Sequence, residues 1–272
     1  MMRLTSRHNP KIKRVRLLKE KRHREREGDF LIEGFREIQR ALLGGVDIQL
    51  LFTSSPLFLG DNEADLIASA IRQGAEILDL PPSLFDYLAY RDRPDGLLAI
   101  AKQPKYTLSQ MECKLSENPL LLISESIEKP GNLGSMLRSC DGVGATAFIS
   151  CDPATDLYNP NVVRASVGTL FSLPVIESTS EEVLAWLQER ALPIVATSPE
   201  ASAHYSSAKL AQGVAIAMGS EQVGLSEQWL SAASHQVSIP MEGIADSLNV
   251  ASAATLLLYE AHSQRLKTPI FP

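Results

Sequence analysis

Short apolar runs recur through the second half of this chain, each followed by a stretch with helical spacing. No other feature constrains the fold as much. Leu120-Leu121-Leu122-Ile123 is apolar at every position, as in a strand covered on both faces of a parallel sheet. Further strands are predicted at 147–150, 173–176, 193–197, 214–218 and 236–239, and helices at 133–141, 181–190, 226–233 and 247–262. Strands that alternate with helices give an α/β domain. The first half repeats the pattern on a smaller scale. Strands are predicted at 29–33, 48–53, 75–80 and 97–101, with helices at 35–43, 62–72 and 81–88. Residues 102–118 are polar and aperiodic. The organisation is therefore an N-terminal α/β domain with a basic arm over 1–102, a linker over 103–118 and a larger α/β domain over 119–272.

Charge is distributed unevenly. Residues 1–26 hold eleven Lys and Arg, among them Lys11, Lys13, Arg14 and Arg16, against two acids, Glu20 and Glu25. That surplus of nine positive charges sits in a chain of net charge −6, so residues 27–272 carry −15. A basic stretch on an acidic body can hold a polyanion locally by releasing its counterions. The same density also fits a solvated helix face. The stretch contains no aromatic residue, so by itself it offers charge without a base-stacking platform.

Several classes are excluded or disfavoured. There is no run of about 18 apolar residues to span a membrane, and residues 1–26 lack the apolar centre of a secretory signal. A cytoplasmic location is expected. Cys113, Cys140 and Cys151 form no CxxC pair, and the five histidines fall in no HxxxH or HExxH pattern. Reduced thiols and no metal are expected.

Three segments depart from generic α/β sequence. Glu128-Lys129-Pro130-Gly131-Asn132 leads from a strand into a helix that carries Arg138 just under two turns on. Such loops at the carboxyl edge of a parallel sheet are where α/β proteins bind ligands. Asn132 is predicted to cap the helix. Neither a P-loop nor a dinucleotide fingerprint is present. Next, Met218-Gly219-Ser220-Glu221-Gln222-Val223-Gly224-Leu225 again follows an apolar strand. Gly219 allows close backbone approach. Finally, 238–254 runs from a strand through Ile239-Pro240-Met241-Glu242 to a helix rich in Ala and Ser. Asp246 or Ser247 is expected to cap that helix, whose small residues permit close packing.

Taken alone, each segment reads as an ordinary βα turn. Together and in this order, they resemble the three motifs of the SpoU (TrmH-type) branch of the SPOUT superfamily of RNA methyltransferases. Asn132 to Arg138 corresponds to the first, Gly219 to Leu225 to the second and Ile239 to Ala253 to the third. Gly28 to Leu42 resembles the start of that family's substrate-binding domain, itself similar to an RNA-binding ribosomal-protein fold. Asn159 to Gly168 is similar to members that act on ribosomal RNA.

The resemblance implies a SPOUT-type parallel sheet whose C-terminal part threads a deep trefoil knot, and an obligate homodimer with its site shared across the interface. It also implies S-adenosylmethionine as cofactor, held near Met218, Gly219, Ser220, Gly224, Ile239, Met241, Leu248 and Asn249. The implied reaction is methyl transfer to a ribose 2′-hydroxyl. In this reading Arg138 orients the ribose and stabilises charge developing on its oxygen. A free arginine stays protonated, so either a special site changes that or a phosphate or water takes the proton. Asn132 holds the loop or the ribose, Glu221 fixes the second segment, and Ser247 and Asn249 position Arg138 or the cofactor. RNA is met by Arg164 and the basic arm. Large-subunit ribosomal RNA is favoured over transfer RNA. Two other classes remain open. One is a catalytically silent RNA-binding protein on the same scaffold. The other is a doubly wound nucleotide-dependent enzyme, supported only by Gly142-Val143-Gly144, which also reads as a helix end.

Overall fold

The computed structural model describes residues 2–112 and 115–267, so Cys113 lies outside the described residues. The chain divides into two compact units, Met1–Pro104 with Asp156–Ser172, and Lys105–Thr155 with Leu173–Pro272.

The basic stretch is not an arm but a folded part of the first unit. β1 (Met2–Arg3) joins the sheet, followed by α1 (Pro10–Leu17) and α2 (Lys21–Glu27). Asn9 caps α1 by accepting from the Lys11 amide, and Pro10 sets the first helical φ. Ile12, Val15 and Leu18 are fully buried, at a spacing that puts them on one face. Many of the charges are consumed locally. Lys11 pairs with Glu76, Arg14 with Glu27 and Asp29, and Arg3 with Asp79. Arg24 is buried and donates to the Leu18 and Lys19 carbonyls at 2.8 and 2.7 Å while pairing with Asp156.

The unit continues through β2 (Asp29–Glu33), α3 (Phe35–Leu43), β3 (Ile48–Thr53), α4 (Glu63–Arg72), β4 (Glu76–Asp79), α5 (Pro82–Leu88) and β5 (Leu97–Lys102). The sheet order is β1-β4-β3-β5-β2, with β5 antiparallel to both of its neighbours. Ile12, Val15 and Leu18 pack with Leu31, Phe52, Leu78 and Phe85.

Glu33 closes β2 and is fully buried. One carboxylate oxygen accepts from the Tyr90 amide at 2.9 Å, and the other has no partner. Burial pushes this carboxyl above its ordinary value, against the opposing pull of the Tyr90 amide and Arg91. The folded chain therefore binds the Glu33 proton more tightly than the unfolded chain. Stability is lost as pH rises from the ordinary glutamate value, about 4.3, through the raised folded value. Glu33→Gln should melt above wild type at pH 7.5, with the advantage shrinking towards pH 4. Thermal melts across that range check it, and an offset independent of pH would refute it.

The second unit begins with α6 (Leu108–Glu112), a helix inside the stretch expected to be a plain linker. It continues with β6 (Leu120–Glu125), α7 (Pro130–Val143) and β7 (Ala147–Cys151). The chain then returns to the first unit with α8 (Pro160–Ser166), a return the sequence boundaries do not anticipate. Aromatic packing holds it there: the Phe30 ring lies 4.8 Å from Tyr158 and 5.8 Å from Phe171, centroid to centroid.

The second unit resumes with β8 (Val175–Ser178), α9 (Ser180–Glu189), β9 (Ile194–Thr197), β10 (Ala203–His204), β11 (Val214–Met218), α10 (Glu227–Ala232), β12 (His235–Ser238) and α11 (Val250–Lys267). Its strands run in the order β10-β12-β9-β11-β6-β7-β8, every neighbouring pair parallel. β6 and β11 are adjacent, with Ser124 opposite Met218, so the loops that follow them leave the carboxyl edge side by side. Ile123, Ile149, Ala217, Trp186 and Trp229 share the core.

Candidate active site

The predicted capping positions move by a few residues. α7 starts at Pro130, because proline is pre-set for the first helical position, so Asn132 lies within the first turn and not before it. Its buried side chain is free to do something other than cap. The Asn132 amide nitrogen donates to Glu221 Oε1, and its oxygen accepts from the Asn249 amide nitrogen at 3.1 Å. The other Glu221 oxygen accepts from the Glu128 amide at 3.4 Å. Asn249, not Asp246 or Ser247, caps α11, accepting from the Ala251 and Ser252 amides at 3.0 and 3.4 Å.

One residue from each of the three singled-out segments therefore joins a single hydrogen-bonded chain. Only a neutral amide serves at its centre. It must donate to a carboxylate on one side and accept from an amide on the other. An aspartate there would set like charges face to face.

The second segment folds into a tight turn. Ser220 and Gly224 exchange backbone hydrogen bonds of 3.1 Å in both directions. A Cβ on Gly219 would stand 2.0 Å from the Gly224 carbonyl carbon and 2.1 Å from the Leu225 nitrogen, so only glycine fits. Gly224 adopts φ +71°. Met218 and Ser220 are buried, Glu221 and Gly224 are half-buried and Val223 is exposed.

Sequence reasoning missed the residue that anchors this turn. Glu125, at the end of β6, accepts from the Ser226 amide at 2.7 Å and its hydroxyl at 2.6 Å. It also accepts from Ser180 Oγ at 3.4 Å, which in turn accepts from the Trp229 indole at 2.9 Å. A buried carboxylate needs such company. The only sequence signal is an acid closing an otherwise apolar run.

The third segment is open. Among the described residues, 239–248 make no hydrogen bond within the chain. Ile239 and Met241 are half-buried, while Ser247, Leu248 and Ile244 are exposed. α11 packs closely on α7. Thr255 Oγ1 lies 2.6 Å from Ser139 Oγ of α7, and a Cβ on Gly142 would stand 3.0 Å from the Tyr259 hydroxyl. Gly144 ends α7 in the left-handed conformation, so 142–144 is a helix end.

Arg138 lies outside the hydrogen-bonded chain. It is exposed on α7 and, among the described residues, its side chain makes no hydrogen bond or ion pair. Ser247 is likewise unbonded. Of the basic residues assigned to RNA, all in the first unit, Lys11 and Arg14 are tied to acids, Arg16 bonds the Tyr87 hydroxyl, and Lys13 and Arg164 are exposed. Cys140 and Cys151 are buried, and burial pushes both thiols up, which leaves them poor nucleophiles. Among the described residues no group of His, Cys, Asp and Glu could hold a metal ion, and no helix is long and apolar enough to cross a membrane.

Comparison with known proteins matches both parts of this arrangement. Residues 119–259 match the SpoU rRNA methylase family, and residues 9–99 match an MRM3-like substrate-binding domain. A 23S rRNA (uridine(2479)-2′-O)-methyltransferase of Streptomyces viridochromogenes is 32% identical, over 97% of this chain and 93% of its own length. A solved RNA 2′-O ribose methyltransferase is 44% identical with a TM-score of 0.84, covering 97% of this chain and all (100%) of the other. An AdoMet-bound rRNA methyltransferase from Sinorhizobium meliloti is 29% identical with a TM-score of 0.86, covering 96% and 97%.

Proposed function

The chain belongs to the SpoU rRNA methylase family, and from that premise we propose that it transfers the methyl group of S-adenosylmethionine to a ribose 2′-hydroxyl of large-subunit ribosomal RNA. The observation that carries the reading is the Asn249–Asn132–Glu221 chain, which draws the three family segments to one place on the sheet's carboxyl edge.

The residues present suit the cofactor. An adenosyl group needs free backbone donors and acceptors for its base edge and apolar contact for its faces. The stretch 239–248 supplies both, with its peptide groups uncommitted and Leu248 exposed beside Asn249. Met218, Gly219, Ser220 and Gly224 of the second-segment turn, with Ile239 and Met241, are the further residues assigned to the cofactor. When bound, the cofactor supplies an already activated methyl on a sulfonium, so the chain need only place and polarise the acceptor hydroxyl.

Arg138 performs that task. Its guanidinium has no partner among the described residues and presents five donors as a fixed cation to a developing alkoxide. The proton leaves to a phosphate or water, since arginine holds its own. Asn132, Glu221 and Asn249 keep the two loops at fixed separation, and Ser247 stands beside them on the open stretch. Alignment of hydroxyl and methyl supplies a large part of the rate. We assign the functional form to a homodimer with the C-terminal chain threaded as a trefoil knot, acting in the cytoplasm. Lys13, Arg16 and Arg164 are the exposed cations through which the first unit meets RNA; Lys11 and Arg14 add to its field while tied to acids.

The test is incubation with methyl-labelled S-adenosylmethionine and total RNA from a source lacking the modification, followed by sizing and nucleoside analysis. Label in one 2′-O-methylated nucleotide of large-subunit RNA is expected. Label confined to transfer RNA would move the substrate. Absence of both label and cofactor binding would leave a silent RNA-binding protein.

A further inference from the structure

Among the described residues, the eleven basic residues of 1–26 divide into seven held in ion pairs and four that are not, Arg7, Lys13, Arg16 and Lys19. Arg3, Lys11, Arg14, Lys21, Arg22, Arg24 and Arg26 each lie within an ion pair. Arg7 and Arg16 do not. Among the described residues neither has an acidic partner, and Asp86, next to Tyr87 in α5, pairs with neither. Both guanidiniums instead gather on one ring. The Arg7 guanidinium carbon lies 4.3 Å from the Tyr87 centroid and that of Arg16 lies 5.0 Å away. Arg16 also donates to the Tyr87 hydroxyl, which fixes its plane. Lys19 Nζ bonds the Ala89 carbonyl at 3.1 Å just beyond α5.

This arrangement has an unbalanced charge. Two like cations on one ring repel, and attraction to the ring recovers only part of that. A ligand that resolves it brings negative charge to two guanidinium forks and flat surface to their planes. Phosphodiesters match the forks bidentately, and unpaired bases stack on arginine or aromatic planes. A duplex offers phosphates but keeps its bases stacked inside. We propose that Arg7, Tyr87 and Arg16 form a clamp for an unpaired stretch of RNA, a contact separate from the methyl-transfer site. The proposal rests on the reading that this chain acts on RNA. It supplies from α5 the aromatic platform that the basic stretch lacks in sequence.

The experiment measures binding of a short fluorescein-labelled oligouridylate to the full chain by anisotropy across a salt series. Each phosphate contact on a single strand contributes about 0.7 to the slope of log affinity against log salt. The double variant Arg7→Ala, Arg16→Ala should therefore lose about 1.4 from that slope. Arg7→Lys with Arg16→Lys should keep the slope and bind several-fold more weakly, because charge survives and the planes do not. Tyr87→Leu should weaken binding about tenfold with little change in slope. Arg72→Ala, which removes an exposed cation of α4 that the clamp does not use, should leave the slope unchanged, and a duplex of the same length should be insensitive to Tyr87→Leu. Arg7 and Arg16 are exposed, so their variants should melt like wild type. An unchanged slope in the double alanine variant, while wild type binds and methylates RNA, overturns the clamp alone. An equal loss from Arg72→Ala overturns it in favour of a diffuse field. A wild-type chain that neither binds nor methylates RNA overturns the clamp and the RNA reading together.

Discussion

Arg138→Ala should reduce the methyl-transfer rate by about 10²–10³-fold, the cost of losing one preorganised donor to a developing oxyanion, while binding of S-adenosylmethionine stays within a factor of about two of wild type. The separation is expected because Arg138 is exposed and bonds nothing among the described residues. Its removal leaves no buried polar group unpaired and opens no cavity, so the melting temperature should hold. An interaction made only in the transition state lowers kcat and kcat/KM together. Arg138→Lys should recover part of the rate, since it keeps the charge and loses the planar fork. Single-turnover kinetics with saturating RNA, alongside calorimetric titration of the cofactor, reads both quantities. An alanine variant with wild-type kcat would remove Arg138 from the mechanism. One that fails to bind cofactor would make it a binding residue.

Gly219→Ala carries the second large effect, and it works through geometry alone. The added methyl would lie 2.0 Å from one backbone atom and 2.1 and 2.3 Å from two others, all in the Gly224–Leu225 stretch. Backbone cannot step aside as a side-chain end can, so the turn has to open. Opening it breaks the paired Ser220–Gly224 bonds and draws Glu221 away from Asn132. A loss of about 3 kcal/mol from the loop's native arrangement is expected, near the upper end for one substitution. That corresponds to roughly a hundredfold weaker cofactor binding. Gly60→Ala, in the first unit, is the control, because its Cβ would meet nothing closer than 3.5 Å. Equal cofactor affinity for the Gly219 variant and wild type would show that this turn does not form the binding site.

Much of the second unit is legible in the sequence because its signals are local. An apolar run such as Leu120–Ile123 reads as a strand without knowing its neighbours, and 214–218 coincides with β11. The three functional segments are legible for the same reason, each being a contiguous stretch. What joins them is not. The Asn132 amide bridges residues far along the chain, and nothing in its neighbourhood separates that role from capping. Charge misleads at the N-terminus. Eleven Lys and Arg within 1–26 dominate the reading, although Ile12, Val15 and Leu18 already carry the spacing of a buried helix face. Residues 156–172 are hidden differently. Their place in the first unit depends on Phe30 meeting Tyr158 and Phe171, pairings between distant positions that periodicity cannot contain.

The bond from Asn249 to Asn132 spans 117 residues, and that from Asn132 to Glu221 spans 89. Contacts so distant along the chain form late, because the entropy of closing the intervening loop must be met before the contact returns anything. A nascent chain can build β6 and α7 early and still hold Asn132 with both ends of its amide unmatched. The clasp shuts only after residues beyond 249 have emerged from the ribosome. Until then the growing polypeptide has no assembled pocket with which to capture a methyl donor. Activity should therefore appear in one late step of synthesis instead of growing with chain length.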